Sequence, residues 1–271
     1  MKKYISLLLL VALAICGRAQ AQHPTEKAYT HEEIMAIISK EENKNIKIDS
    51  VGILAYEGFN DLDFVGVESA LSSVMGTKVF LVGAQKGTVT GTCNKYVVEH
   101  DFSEVNHLDV LIIPGGSDAT YKLSKDTKVL NWIRKIDRTS TYTASVCNGA
   151  WILGATGLLK GKKATSHWYR AKEILARYGA DYQNKRWVQD GKYWTSAGVS
   201  ASIDMGLAMV MAAKGKTYAE FVQLAMEYDP QPPVDKGSKD KANPGMVNMM
   251  TELFDQGLGV ENLGNNDETS K

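Results

Sequence analysis

The sequence predicts an α/β fold in which a mainly parallel central sheet carries helices on both faces. Three observations lead there. Short, almost wholly apolar runs recur between positions 48 and 146, the pattern of strands buried on both sides. Segments of helical periodicity alternate with them, and such alternation favours parallel pairing through crossover helices. Two of the runs end in tight-turn chemistry, Pro114-Gly115-Gly116 and Cys147-Asn148-Gly149, where a parallel sheet opens its ligand crevice.

The chain has 271 residues, 44% hydrophobic and 23% charged, which suits one large globular domain and excludes a disordered chain or a multi-span membrane protein. Lys and Arg number 31 and Asp and Glu 31, so no global basic field points to nucleic acid.

Residues 1–21 read as a secretory signal peptide. Lys2 and Lys3 form a charged start, and an apolar run over 5–15 follows. That run is shorter than the roughly 20 residues a bilayer-spanning helix needs. Ala19-Gln20-Ala21 then supplies a cleavage site. An exported, periplasmic protein with no integral membrane span is the expectation. An uncleaved anchor and lipid attachment at Cys16 are the alternatives; the bulky Ile15 before Cys16 argues against the second. Cleavage would remove Lys2, Lys3 and Arg18 and no acid, leaving acids in excess by three. It would also leave Cys93 and Cys147, enough for one internal bridge at most.

Residues 22–48 read as an N-terminal helical arm. Thr30 and Glu33 have capping-box spacing, and Ile34, Ile37 and Ile38 share a face. No catalytic part is expected of it. Strands are then predicted over 48–56, 78–83, 108–113 and 142–146, and helices over 64–75, 128–136, 149–159 and 202–214. Around Asp190-Gly191, two β-prone runs predict a hairpin over 187–195. No linker splits residues 47–230, so one domain is placed over 49–245. Residues 246–271 are expected to be a C-terminal helix and a disordered tail.

Cys147 stands where a strand ends and a helix begins at once. A sharp turn there lifts the side chain above the sheet edge, the logic of a nucleophile elbow with sulfur in place of oxygen. The helix N-terminus favours an anion and so a lowered thiol pKa. A buried inert cysteine is the plain alternative. Gly115 and Gly116 close the neighbouring strand, where backbone N–H groups can meet negative charge formed after attack by Cys147. Pro-Gly-Gly is equally a common turn.

These residues carry a family resemblance. Ile112-Ile113-Pro114-Gly115-Gly116 followed by Ser145-Val146-Cys147-Asn148-Gly149-Ala150 resembles the ThiJ/PfpI superfamily, relatives of the class I glutamine amidotransferases. Leu62-Asp63-Phe64-Val65-Gly66, Ala164-Thr165-Ser166-His167-Trp168, Gly198-Val199-Ser200-Ala201-Ser202-Ile203-Asp204 and the stretch from Gln223 to Pro233 resemble its isonitrile hydratase subgroup. The resemblance implies a three-layer, flavodoxin-like sandwich with Cys147 as nucleophile and Asp63 as the acid facing it. It also implies an anion site at Gly116, no cofactor, a small-molecule substrate and a homodimer. Asn148 departs from the pattern. Hydratase relatives have threonine there and protease-like ones histidine, and an asparagine cannot act as a base at neutral pH.

Other readings stay beside these. Asp63 is also placed to cap a helix, with Asp61 and Glu57 as nearby acids. His167 reads as a pocket or structural histidine before it reads as a base. His23, His31, His100 and His107 lack metal-ligand spacing. Cys93 reads as an exposed free thiol. The leading expectation is cysteine-dependent hydration of a small electrophilic carbon, isonitrile to N-substituted formamide. Carbonyl detoxification of the glyoxalase or deglycase kind, and a thiol redox sensor or binding protein, are the alternatives.

Overall fold

A computed structural model describes residues 28–116 and 118–258. The expected signal peptide, Cys16 and the far C-terminal tail lie outside the described residues. Among those described, no helix is long and apolar enough to cross a membrane.

The leading segment holds one helix, α1 (His31–Ile38). Its capping box forms as expected: Glu33 N–H donates to Thr30 Oγ1, and Glu33 Oε2 accepts from Thr30 N–H at 2.9 Å. Farther on, Asn43 N–H donates to Ala213 O and Thr217 N–H to Glu41 Oε2, so 41–43 is tied to the body.

The body is built on β1 (Ser50–Leu54), β2 (Lys78–Gly83), a hairpin of β3 (Gly87–Thr90) and β4 (Lys95–Val98), β5 (His100–Asp101), β6 (Val110–Ile113) and β7 (Tyr142–Val146). The short β8 (Lys163–Ala164) and β9 (Asp181–Tyr182) pair with each other, and β10 (Trp187–Asp190) and β11 (Tyr193–Ser196) complete the set. The main sheet runs β10-β11-β7-β6-β1-β2-β5. Every pair in it is parallel except β10 with β11, the hairpin expected at Asp190-Gly191. Gly191 has φ 62°, the left-handed turn conformation such a hairpin uses. Leu111, Ile112, Ile113, Val146 and Trp151 are fully buried at the centre, as two-sided burial of parallel strands requires.

Helices α2 (Asp61–Leu71), α3 (Asp118–Leu123), α4 (Thr127–Asp137), α5 (Gly149–Ala155), α6 (Ala171–Arg177), α7 (Ala201–Lys214), α8 (Lys216–Ala225) and α9 (Pro244–Leu258) complete the layers. Helix α2 packs on α7, and α4 and α6 pack on α5. Two differences from the sequence reading matter. The β3–β4 hairpin was not expected, because its outer face is exposed and its turn reads only as polar. Helix α2 begins at Asp61, three residues early, because the Asn60 side chain caps it by accepting from Leu62 N–H and Asp63 N–H. The cap is therefore Asn60, and the Asp63 carboxyl is left for other contacts.

Candidate functional site

Cys147 joins β7 to α5 with φ 58°, a left-handed conformation that costs a non-glycine residue about 1–3 kcal/mol. The surroundings hold it there. Its N–H donates to Ser196 O at 3.0 Å and Ala197 O at 3.2 Å, from the end of β11, and its carbonyl accepts from Ser166 Oγ at 2.9 Å. The side chain is almost closed off, with the residue 8% exposed.

Asp63 comes to the same place from the first turn of α2 and is wholly buried. Its Oδ2 accepts from Gly115 N–H at 2.8 Å. Its Oδ1 has no full hydrogen bond, and the Cys147 thiol is the other polar group that acts on the carboxyl. Burial pushes Asp63 up to about 7; the Gly115 amide and the thiol pull against it without prevailing. Burial likewise pushes the Cys147 thiol well up, and the Asp63 charge adds to it. The amides of Asn148 and Val199 lower it, but less. This reverses the expectation of a lowered thiol pKa. Helix α5 has only seven residues, and its N-terminus does not offset desolvation and a neighbouring carboxylate. Near neutral pH the resting pair is a thiol beside a carboxyl group that titrates as a unit with it.

The two glycines do not present free amides. Gly115 N–H is taken by Asp63, and Gly116 N–H donates to Asn148 Oδ1 at 2.9 Å while Asn148 Nδ2 donates to Gly116 O at 3.0 Å. Asn148 thus locks one strand-end turn to the next. Any side chain at position 115 would break that lock, since a Cβ there would lie 2.1 Å from Asn148 Oδ1. The amides that act on the sulfur belong to Asn148 and Val199.

His167 packs its ring against Trp168 and Phe254, at 5.4 and 5.3 Å, and Nδ1 accepts from Tyr169 N–H. Burial pushes its pKa down to about 4, so the ring is neutral at pH 7. Cys93 is exposed and free, and Cys147 is free as well. Asp61 accepts from Cys93 N–H and Thr92 Oγ1 and holds the β3–β4 turn rather than the sulfur. Among the described residues no three His, Cys, Asp or Glu side chains converge as metal ligands. Two cavities, of about 640 and 540 Å³, lie along β10 and between α7 and α8, and Cys147 lines neither.

Two residues at this site escaped the sequence reading. Tyr56, just past β1, donates from its hydroxyl to Pro114 O at 2.8 Å, and the charges of Asp63 and Cys147 both act on it. Its place at the end of an apolar strand was the available signal. Val199 lies in the Gly198–Asp204 stretch that carries the family resemblance, but its side chain gave no sign of its part, because it acts through its backbone.

Comparison with known proteins fits this arrangement. The sequence matches the DJ-1/PfpI family over residues 49–212. The chain belongs to that family. It is 35% identical over 198 residues to the isonitrile hydratase of Pseudomonas putida, spanning 73% of this chain and 86% of that protein. A deglycase of Pyrococcus horikoshii is 32% identical over 132 residues, 47% of this chain and 77% of the deglycase. In structure the chain resembles a ThiJ/PfpI family protein from Pseudomonas syringae with TM-score 0.77 and 35% identity, covering 90% of this chain and all of the other. The three-layer fold with its mostly parallel sheet is therefore the family fold.

Proposed function

We propose that the protein hydrates a small electrophilic carbon, an isonitrile in the first instance, with Cys147 as nucleophile at a nucleophile-elbow turn and Asp63 as its proton shuttle. The observation that carries this is the closed couple of Cys147 and a carboxyl group poised near 7. Similarity to an isonitrile hydratase over most of both chains supports the choice of substrate.

The Asp63 carboxylate takes the Sγ proton as sulfur adds to the terminal carbon, and hands that proton to the same carbon. The product of this step is a thioimidate, R–N=CH–S–Cys. Water then adds to that carbon, with one proton going to Asp63 and one to nitrogen. The C–S bond breaks and leaves R–NH–CHO, and the proton on Asp63 returns to sulfur. The covalent step divides one difficult hydration into two easier ones. The amides of Asn148 and Val199 are the donors placed to steady charge on sulfur.

Carbonyl detoxification is the second reading, favoured by the deglycase similarity. Here the side chain after the cysteine is an amide already spent on Gly116, so that chemistry would also rest on Asp63.

The test is formamide production from a small isonitrile, with methylglyoxal in parallel, by the wild type and Cys147→Ser. We expect formamide from the wild type and background rates from Cys147→Ser. Lactate from methylglyoxal without formamide would transfer the function to the second reading. Formamide from Cys147→Ser would remove the cysteine from the mechanism.

A further inference from the structure

The C-terminal helix α9 lies far from Cys147 in sequence, yet a short series of contacts joins them. Phe254 packs its ring against three consecutive residues, edge-to-face with His167 at 5.3 Å and Tyr169 at 5.3 Å and tilted on Trp168 at 5.7 Å. The next residue, Asp255, accepts from the Tyr169 hydroxyl and pairs with Arg170 at 2.9 Å. His167 in turn brings its Cδ2 edge close to Gly198: a Cβ on Gly198 would stand 2.7 Å from that atom. Gly198 leads directly into Val199, whose amide acts on the Cys147 sulfur.

Backbone strain follows the same path. Among the described residues four non-glycine residues have positive φ, and three of them are Cys147 (58°), Arg170 (45°) and Val199 (21°). For a β-branched residue such as Val199 this conformation is a real outlier. Strained conformations persist where their surroundings over-determine them. The His167 ring wedged on Gly198, and the Phe254–Asp255 corner holding His167 to Arg170, supply that restraint. The helix also touches α3, but no residue from Pro244 to Gly257 is buried, and Met246, Met249 and Leu253 are exposed.

We propose that Phe254 is a positioning residue for Cys147, which holds the Val199 amide on the sulfur through His167 and Gly198. This rests on Cys147 being the reactive group. It makes α9 part of the site, although it contributes no atom to the chemistry.

The experiment is alkylation of Cys147 by iodoacetamide across pH 6–11, read by mass spectrometry in a Cys93→Ser background so that one thiol is followed. Asp63, which ionises at the lower end of this range, and the Tyr56 phenol also face the sulfur, and both residues are the same in every variant. Losing the Val199 donor destabilises the thiolate, so Phe254→Ala should move the midpoint upward by roughly half a pH unit or more. His167→Ala should do the same. The double variant should move it no further, because both act through one contact. Phe254→Tyr should restore the wild-type midpoint. Asp255→Asn, which keeps the ring and weakens the clamp on Arg170, should give a smaller shift in the same direction and serves if Phe254→Ala does not fold. An unchanged midpoint in folded Phe254→Ala, or in Asp255→Asn where Phe254→Ala does not fold, overturns the proposal, and so do fully additive shifts in the double variant. The reading needs no isonitrile, so absence of formamide would count against the proposed reaction and leave this result standing.

Discussion

Two aspartates at opposite ends of the sheet show how one side chain takes two roles. Asp109 lies just before β6, at the end where β1 and β6 begin. Ser50 N–H and Ser50 Oγ both donate to its Oδ2 at 2.9 Å, and His107 Nε2 pairs with its Oδ1 at 3.2 Å. Burial pushes Asp109 up, but these partners together hold it below the usual carboxylate range. Asp63 lies at the other end, where β6 and β7 finish. It has one amide and a thiol, and burial carries it up to about 7. Both are buried, yet the number of donors makes one a permanent anion and the other a group that exchanges protons near neutral pH.

Asp63→Asn is the strongest way to break this contrast. We expect turnover to fall by about 10²–10⁴-fold, the usual worth of a positioned proton-transfer group. Stability should move the other way. The folded protein holds the Asp63 proton up to about pH 7, whereas an unfolded chain releases it near 4. Folding therefore takes up a proton in that window, and stability is lost as pH rises through it. The asparagine side chain does not ionise. At pH 8 the variant should be more stable by up to about 4 kcal/mol, the ceiling set by three pKa units at 1.36 kcal/mol each. Formamide formation measures the first effect and urea unfolding at pH 5 and pH 8 the second, and a variant that is less stable at pH 8 would contradict the buried-acid reading.

His167 sharpens the comparison, because its slope runs opposite to that of Asp63. Its folded pKa of about 4 lies below the unfolded value, so the unfolded chain binds the extra proton between about 4 and 6.5. Stability from His167 is complete above pH 6.5 and is lost as pH falls through that window. In the wild type this loss offsets the Asp63 gain, and the two together leave stability nearly level there. His167→Phe keeps a ring on Phe254 and removes the titration. Stability between pH 4.5 and 6.5 should then fall as pH rises, by about 1–3 kcal/mol across the window. A wild-type profile that falls as steeply as that of His167→Phe would show that the ring is not kept neutral by burial.

The sequence showed the fold and the identity of this site better than its electrostatics. Tyr142–Val146 is a strand with no polar side chain facing solvent, and its ends were legible from that run and the turn residues after it. Cys147 was legible for the same reason, as a chemistry-bearing residue at a strand end, whereas the pairing of Asp63 with it came from the family resemblance, since its place in the chain read equally as a helix cap. What was not legible is what depends on the packing of distant segments. The thiol pKa was expected to fall because a helix N-terminus is visible in sequence, while the closure that raises it comes from α2, the end of β11 and the turn at Val199. Asn148 was legible only as a departure from the family pattern that cannot act as a base. Only the fold brings it to Gly116, where both of its amide bonds are used. Val199 contributes an N–H, which any residue except proline could supply, so no side-chain pattern marks it.

Asp109→Asn has the smallest expected effect and provides the control. An asparagine can give Ser50 one accepting oxygen, but it turns an NH₂ group toward His107. His107 must then accept with the nitrogen that now faces Asp109 and donate with the other to Thr139 Oγ1, which lies 3.1 Å away and is able to accept. The network survives with neutral bonds in place of charge-assisted ones, a loss of about 1–2 kcal/mol at pH 7. Because the folded pKa of Asp109 lies below its unfolded value, its ionised form stabilises the protein above about pH 4, and that contribution disappears as pH falls through the folded value. Wild type and variant should therefore differ at pH 7 and converge toward pH 3. Formamide formation at pH 7 should stay within about twofold of wild type, since the network sits at the end of the sheet away from Cys147. A loss of turnover as large as that of Asp63→Asn would mean that the two ends of the sheet are coupled, and that the number of local donors does not by itself separate the structural carboxylate from the reactive one.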